Sequence, residues 1–392
     1  MTRVSFVTWA GGSAAALVLF CNLLSCSRPS STAAVSTPPS AGKLGPPARY
    51  DNEKILNVYS WVDYIGPDTV ANFEKETGIK VNYDAFDNNE VLETKLLTGH
   101  TSYDVVVPTG NFLERQREAG VYRPLDKEEI PNLANADPQI MRWIERYDPG
   151  DKYAVPYMWS VTGLAYNVDQ VRARLGSNIP DGWALLFDPK YAEKLKDCGI
   201  TVVDSAADVV LSAIYYLGRD PLRHDPADLE AASVVLRKIR PFIRYIDPVQ
   251  EVPDLASGSV CLSLAWQGDI GQARSRASEA KMTVNLAFLV PREGALVSID
   301  TMGIPADAPH PHNAQIWLNY LMRPDVTASI TNAIRFPNGN LASLPLLNPD
   351  IRNDPVIYPS AATRERLTPL TAMSAEYARL LTREWTRFRT GY

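Results

Sequence analysis

The residues with chemistry to offer gather in a few short runs. Trp61-Val62-Asp63-Tyr64 sets two large aromatics around one carboxylate. Trp266-Gln267-Gly268-Asp269 repeats the pairing of indole and acid within four residues. Asp300 interrupts the apolar run Val297-Ser298-Ile299-Asp300-Thr301-Met302, and Phe336 lies in a Pro/Asn/Gly loop. Aromatic faces attract cations through their quadrupole, at about 0.5–2 kcal/mol each, and a carboxylate fixes a cation by direct charge. Flat apolar walls also cover methylenes, at about 0.8 kcal/mol per buried CH₂. A diamine or polyamine needs all three, and these residues supply them. The plainer reading makes Trp61 and Tyr64 half-buried wall residues and Asp63 a cap on the next helix.

Other chemistries find less support. The chain has no Walker-type phosphate loop, no dinucleotide fingerprint after its first strand and no Gly-x-Ser-x-Gly elbow. It has four histidines, and His310-Pro311-His312 reads as a surface loop before a helix. Asp63, Asp269 and Asp300 offer a paired-carboxylate hydrolase as the enzymatic alternative, but nothing else points to sugar chemistry. No cofactor is implied. Cys198 and Cys261 lie far apart without a histidine pattern, which makes a poor metal site. A net charge of −6 and the absence of any Lys/Arg run exclude nucleic acid as the main partner.

These residues need strands and helices to position them. Residues 55–59 read as a strand, 68–77 as a helix stopped by Gly78, and 79–85 as a strand. Residues 88–98 form a helix capped by Asn88 or Asn89, with Val91, Leu92, Leu96 and Leu97 inward. A buried strand over 104–108 and a helix over 111–119 follow. This βαβαβα order predicts a parallel α/β sheet, and such sheets bind ligands beyond the C-terminal ends of their strands. Trp61, Asp63 and Tyr64 sit at one such end; Thr109, Gly110 and Asn111 sit at another. The aromatic-rich run over 154–166 reads as a crossing into a second domain, for which 392 residues leave ample chain. Residues 200–203 form a strand ending in Asp204-Ser205-Ala206-Ala207-Asp208. An acid at Asp208, in a first helical turn, is favoured by the helix dipole without any ligand. Residues 260–265 form a strand that delivers Trp266 and Asp269.

The N-terminus reads as targeting. Arg3 precedes a largely apolar stretch ending Leu23-Leu24-Ser25-Cys26, and a Pro/Ser-rich tract follows. This pattern predicts a lipoprotein-type signal over residues 1–26, lipidation of Cys26, and a disordered tether over 27–53. In an exported chain Cys198 and Cys261 form one disulfide or remain as two buried thiols.

The chain resembles the periplasmic polyamine-binding proteins of ABC transporters, and most closely the putrescine-type receptors. The resemblance runs from Ile55 to about Pro359. It rests on Trp-x-Asp-Tyr-Ile-x-Pro-Asp-Thr-Val-Ala-Asn-Phe-Glu-Lys-Glu-Thr-Gly-Ile-Lys from Trp61, on Phe112-Leu113-Glu114-Arg115-Gln116, on Pro156-Tyr157-Met158-Trp159 and on Trp266-x-Gly-Asp269. It implies a two-lobe, hinge-closing fold with ligand in the inter-lobe cleft. Residues 54–158 plus about 282–345 would form lobe I, and 159–281 plus about 346–392 lobe II. It implies no catalysis, delivery of a polyamine to ABC permease subunits, and a monomer in the periplasm, here tethered to a membrane by its lipid. The implied binding set is Trp61, Asp63, Tyr64, Thr109, Asp208, Trp266, Asp269, Asp300 and Phe336, and the implied disulfide is Cys198–Cys261. Val62 stands where putrescine-type receptors have Ser, Ser298 where Phe is usual, Asp208 where Glu is frequent and Phe336 where Tyr is common. Putrescine is the first expectation, spermidine or agmatine the second. A sensor signalling through a partner is the alternative to transport.

Overall fold

The computed structural model describes residues 49–391. The signal, Cys26 and the tether up to residue 48 lie outside the described residues. Among the described residues no helix is long and apolar enough to cross a membrane.

Ten strands share one continuous, mixed sheet in the order β2-β1-β3-β9-β4-β7-β5-β6, with β10 on β9 and β8 on β4. The first three are parallel: β1 (Ile55–Trp61) pairs β2 (Lys80–Phe86) and β3 (Val105–Val106). Three helices alternate with them, Thr69–Thr77, Asn89–Thr98 and Gly110–Glu118. Gly78 ends the first helix in the left-handed conformation. Asn88 caps the second by accepting the Val91 N–H. Leu92 and Leu96 turn inward as expected, but Val91 and Leu97 are exposed. They lie on the opposite flank of the helix, and Leu97 reaches the rim of the large cleft.

The predicted crossing is one 14-residue strand, β4 (Ala154–Asn167), buried along nearly its whole length. It runs antiparallel to β9 (Ala295–Gly303), with an irregularity between Pro156 and Trp159. Residues 154–156 of β4 pair with 301–303, and 159–161 with 297–299. Beyond that point β4 joins β7 (Leu262–Trp266) and β8 (Leu286–Leu289). The strands β5 (Ile200–Val202) and β6 (Ile243–Ile246) continue this side, and β10 (Leu367–Pro369) lies on β9. Strand β8, assigned from sequence to the first lobe, pairs with residues 164–167 of β4, on the edge opposite β7. A third segment flanks the irregularity. Trp159 donates its backbone N–H to Pro337 O at 2.9 Å and its indole N–H to Asn338 O at 3.1 Å.

A disulfide joins Cys198 and Cys261, which precede the neighbouring parallel strands β5 and β7. This decides between the two readings of those cysteines. The reading of His310 as surface fails. It is buried, its backbone N–H donates to Asp104 Oδ1 at 2.6 Å, and its Nδ1 lies 3.0 Å from Asp104 Oδ2. Asp104 also accepts the Asn57 N–H, so the histidine satisfies a carboxylate buried at the base of β1.

Candidate ligand-binding cleft

All nine residues singled out from the sequence line one cleft of about 1060 Å³. Trp61, Thr109 and Trp266 arrive there from strand ends, Asp208 and Asp269 from first helical turns, Asp300 from within β9 and Phe336 from the loop after the helix Pro324–Ile334. Trp61 closes β1, and its ring packs on Phe86 at the end of β2 with centroids 4.7 Å apart. The turn then places Tyr64 inside, where Phe336 meets its ring edge-on at 5.0 Å and Tyr157 donates to its carbonyl at 2.6 Å. Tyr64 in turn donates its hydroxyl to Asp300 Oδ2 at 2.7 Å, and Thr109 donates to Asp300 Oδ1 at 2.7 Å. Asn89 holds Thr109 through a 3.0 Å bond. Each oxygen of the Asp300 carboxylate is thus held by one neutral donor.

The facing wall is built similarly. Asp208 sits in the first turn of the helix Ala206–Tyr216, capped by Ser205. It accepts from the Thr162 hydroxyl and, at 3.2 Å, from the Trp266 indole N–H. Asp269 stands in the first turn of the helix Gln267–Glu279 and accepts the Trp266 backbone N–H at 3.1 Å. The intervening Gly268 has a reason. A Cβ there would lie 2.1 Å from the Phe336 ring, so glycine lets that ring lie against the start of the helix.

Three buried carboxylates in one cleft without a bonded cation carry a clear electrostatic signature. Burial pushes Asp269 up to about 7, against the Trp266 N–H and the nearby Arg276. Burial pushes Asp300 up to about 6, against its bonds from Thr109 and Tyr64. Asp208 is raised by burial as well, opposed by Thr162, Ser205 and Trp266. Desolvation disfavours the charged form, and a cation entering the cleft would restore it.

Asp63 is placed differently from the other acids. Its backbone takes a left-handed φ of 54° and its side chain is 70% exposed. Its partner is Arg276, at 3.6 Å across the mouth of the cleft. It does not cap the following helix, whose N-cap is Asp68. Val62 is exposed on the same rim.

Several residues that line the cleft or lie behind its wall escaped the sequence reading. Gln272 and Arg276 follow Asp269 by three and seven residues on one helical face, a periodicity that could have revealed them. Thr162 and Ser160 lie on the crossing strand, where nothing in the local pattern marks them. Glu251, in the helix Pro248–Ser257, is fully buried with neither carboxyl oxygen hydrogen-bonded. Burial, followed by the charge of Asp269, pushes its carboxyl well above the usual range.

Comparison with known proteins places the chain in a family. The model for "Bacterial extracellular solute-binding protein" matches residues 68–358. The chain belongs to that family. It is 47% identical over 341 residues to the putrescine-binding periplasmic protein PotF of Escherichia coli K12, covering 86% of this chain and 92% of the relative. It is 45% identical over 352 residues to the putrescine-binding periplasmic protein SpuD of Pseudomonas aeruginosa, covering 90% of this chain and 96% of the relative. Among solved structures, the spermidine/putrescine ABC transporter substrate-binding protein PotD of Streptococcus pneumoniae superposes with a TM-score of 0.72 at 25% identity, over 86% of this chain and 99% of that one. The two-lobe solute-binding fold expected from the sequence is the fold of this family.

Proposed function

We propose that this protein captures a polyamine, putrescine first and spermidine second, outside the cytoplasmic membrane and hands it to the permease of an ABC importer. The observation that carries this reading is the set of three buried carboxylates, Asp208, Asp269 and Asp300, without cationic partners and walled by Trp61, Tyr64, Trp266 and Phe336. Desolvated carboxylates favour a ligand that brings its own positive charge, and the rings cover the methylenes between two charges. The names of the relatives at 45–47% identity point the same way.

In this reading the protein binds and releases without turnover. It acts as a monomer in the periplasm, held to a membrane by a lipid on Cys26 and the tether that follows. The lobes divide at the irregularity between Pro156 and Trp159, with β8 grouped with β7 because both pair with the far half of β4.

Calorimetry and thermal shift with putrescine, cadaverine, spermidine and spermine test the reading. A bound ligand raises the melting temperature in a concentration-dependent way, by about 2.7 kcal/mol of stability at 100 times Kd. No shift with any amine at millimolar concentration would refute it.

A further inference from the structure

Positive charge gathers where two helices end together. The helices Pro226–Ile239 and Ala375–Thr390 run side by side in the same direction. Ser233 donates its hydroxyl to Glu384 Oε2 at 2.7 Å, and Arg240 donates to Phe388 O at 2.7 Å and to Arg389 O at 3.1 Å. The last two turns of both helices, with Arg240 just beyond the first, carry Arg237, Lys238, Arg240, Arg383, Arg387 and Arg389 against one acid, Glu384. Glu384 is buried and accepts from Arg383 at 3.0 Å and from Arg387 at 2.9 Å, while Arg237 reaches it through Ser233. Arg389 pairs with Asp204 at 3.2 Å. The next acids on the two helices, Glu230 and Glu376, lie two turns back from Arg237 and Arg383. Arg237, Lys238, Arg383 and Arg387 are all exposed. Helix C-termini favour cations through their dipole, which accounts for each position. It does not account for the scarcity of acids in a chain of net charge −6.

Guanidinium forks match phosphate oxygens bidentately, and each basic residue close to an anionic surface strengthens attachment about fivefold. The chain between Cys26 and residue 49 reaches at most about 80 Å when extended, more than the width of a folded body of this length, about 50 Å. A lipid on Cys26 would therefore leave any face of the body free to meet the bilayer. We propose that this arginine cluster docks the folded body onto an anionic phospholipid surface, the leaflet in which that lipid sits. The lipid brings the body near, and the cluster chooses which face lies down. This goes beyond the polyamine reading and depends on the lipid only for proximity.

Vesicle co-sedimentation tests it with the chain from residue 49 onward, which holds every described strand and helix in one compact unit and carries no lipid. It should bind vesicles of phosphatidylcholine with about one-third phosphatidylglycerol, ignore pure phosphatidylcholine, and detach in 1 M salt, where charges are screened beyond about 3 Å. Arg237→Gln combined with Lys238→Gln leaves both ion pairs of Glu384 in place and should weaken this binding about 25-fold. Arg142→Gln combined with Arg146→Gln changes the net charge equally at exposed residues outside the cluster, and should leave it unchanged. Neither Arg237 nor Lys238 lines the cleft, so putrescine affinity should be the same in both variants. No preference for phosphatidylglycerol overturns the proposal, as does an equal loss in the two variants. Either result leaves the polyamine reading standing, whereas absent putrescine binding with intact vesicle binding sinks that reading alone.

Discussion

Arg276 reaches across the mouth of the cleft to Asp63, with 3.6 Å between Nη2 and Oδ2, and both side chains face solvent. The pair joins the turn after β1 to the helix that carries Asp269. An exposed ion pair is worth at most about 1 kcal/mol and is screened by salt. Arg276→Ala should therefore weaken putrescine binding by about fivefold or less, mainly through faster release, and high salt should erase the difference. Stopped-flow dissociation at two ionic strengths measures this. A loss above about 100-fold in Asp63→Ala would show instead that Asp63 holds the ligand directly.

Asp269→Asn should behave very differently. Asp269 is buried beside Trp266, and an ammonium placed against the amide would lose its counter-charge in a desolvated site. Removing one partner of such a buried pair costs about 3–5 kcal/mol, or more than 100-fold in affinity. Unchanged calorimetric affinity in this variant would remove Asp269 from the site.

Acid should weaken binding and strengthen the empty fold. A cationic ligand needs Asp269 and Asp300 ionised, and burial raises them to about 7 and about 6. Affinity should fall about tenfold per pH unit below 7, and more steeply below 6 where both carboxylates take protons. In the ligand-free protein the same groups keep protons that the unfolded chain has already released above about 4. The native state then binds more protons, so their contribution to stability is full below about pH 4 and is lost as pH rises through 6 to 7. Calorimetric affinities and melting temperatures from pH 5 to 8 should move in opposite directions. Affinity that stays flat across that range would contradict the assignment of both carboxylates.

Glu251→Gln should raise the melting temperature at pH 8 by a few degrees while changing little at pH 5. The buried carboxyl keeps its proton in the fold, whereas the unfolded chain loses it above about 4.3. The fold is therefore penalised increasingly as pH rises, and the amide escapes that penalty. Equal melting temperatures of the two proteins at pH 8 would show that Glu251 finds a partner.

Strand-end logic reached far into this molecule. Trp61, Thr109 and Trp266 each stand at or just past a strand end, which the order of elements reveals; β7 runs opposite to β1 and β3 in the sheet, so their convergence depends on the β4–β9 crossing, which no local pattern announces. Asp208 was ambiguous because a first-turn acid suits a helix with or without a ligand; its bonds from Thr162 and Trp266 arise from tertiary placement alone. The rim position of Asp63 depends on one left-handed backbone angle, which residue type does not announce for aspartate. His310 was misjudged because its polar neighbours in sequence say nothing of Asp104, a partner 206 residues away. Glu251 was invisible for a similar reason: burial of a carboxyl has no local signature.

The β4–β9 ribbon, with its irregularity between Pro156 and Trp159, constrains what information can leave this protein. Backbone bonds on either side of that point lock the two strands against sliding, and between them residues 157–159 pair instead with residues 337–339. A closure that turned the two halves about this three-segment junction would be close to a single rotation. A partner touching only the outer faces of the two halves could distinguish loaded from empty by their mutual tilt, without contacting the amine. Such a reader would be indifferent to which amine is held, so selectivity would be decided wholly inside the cleft before any docking takes place.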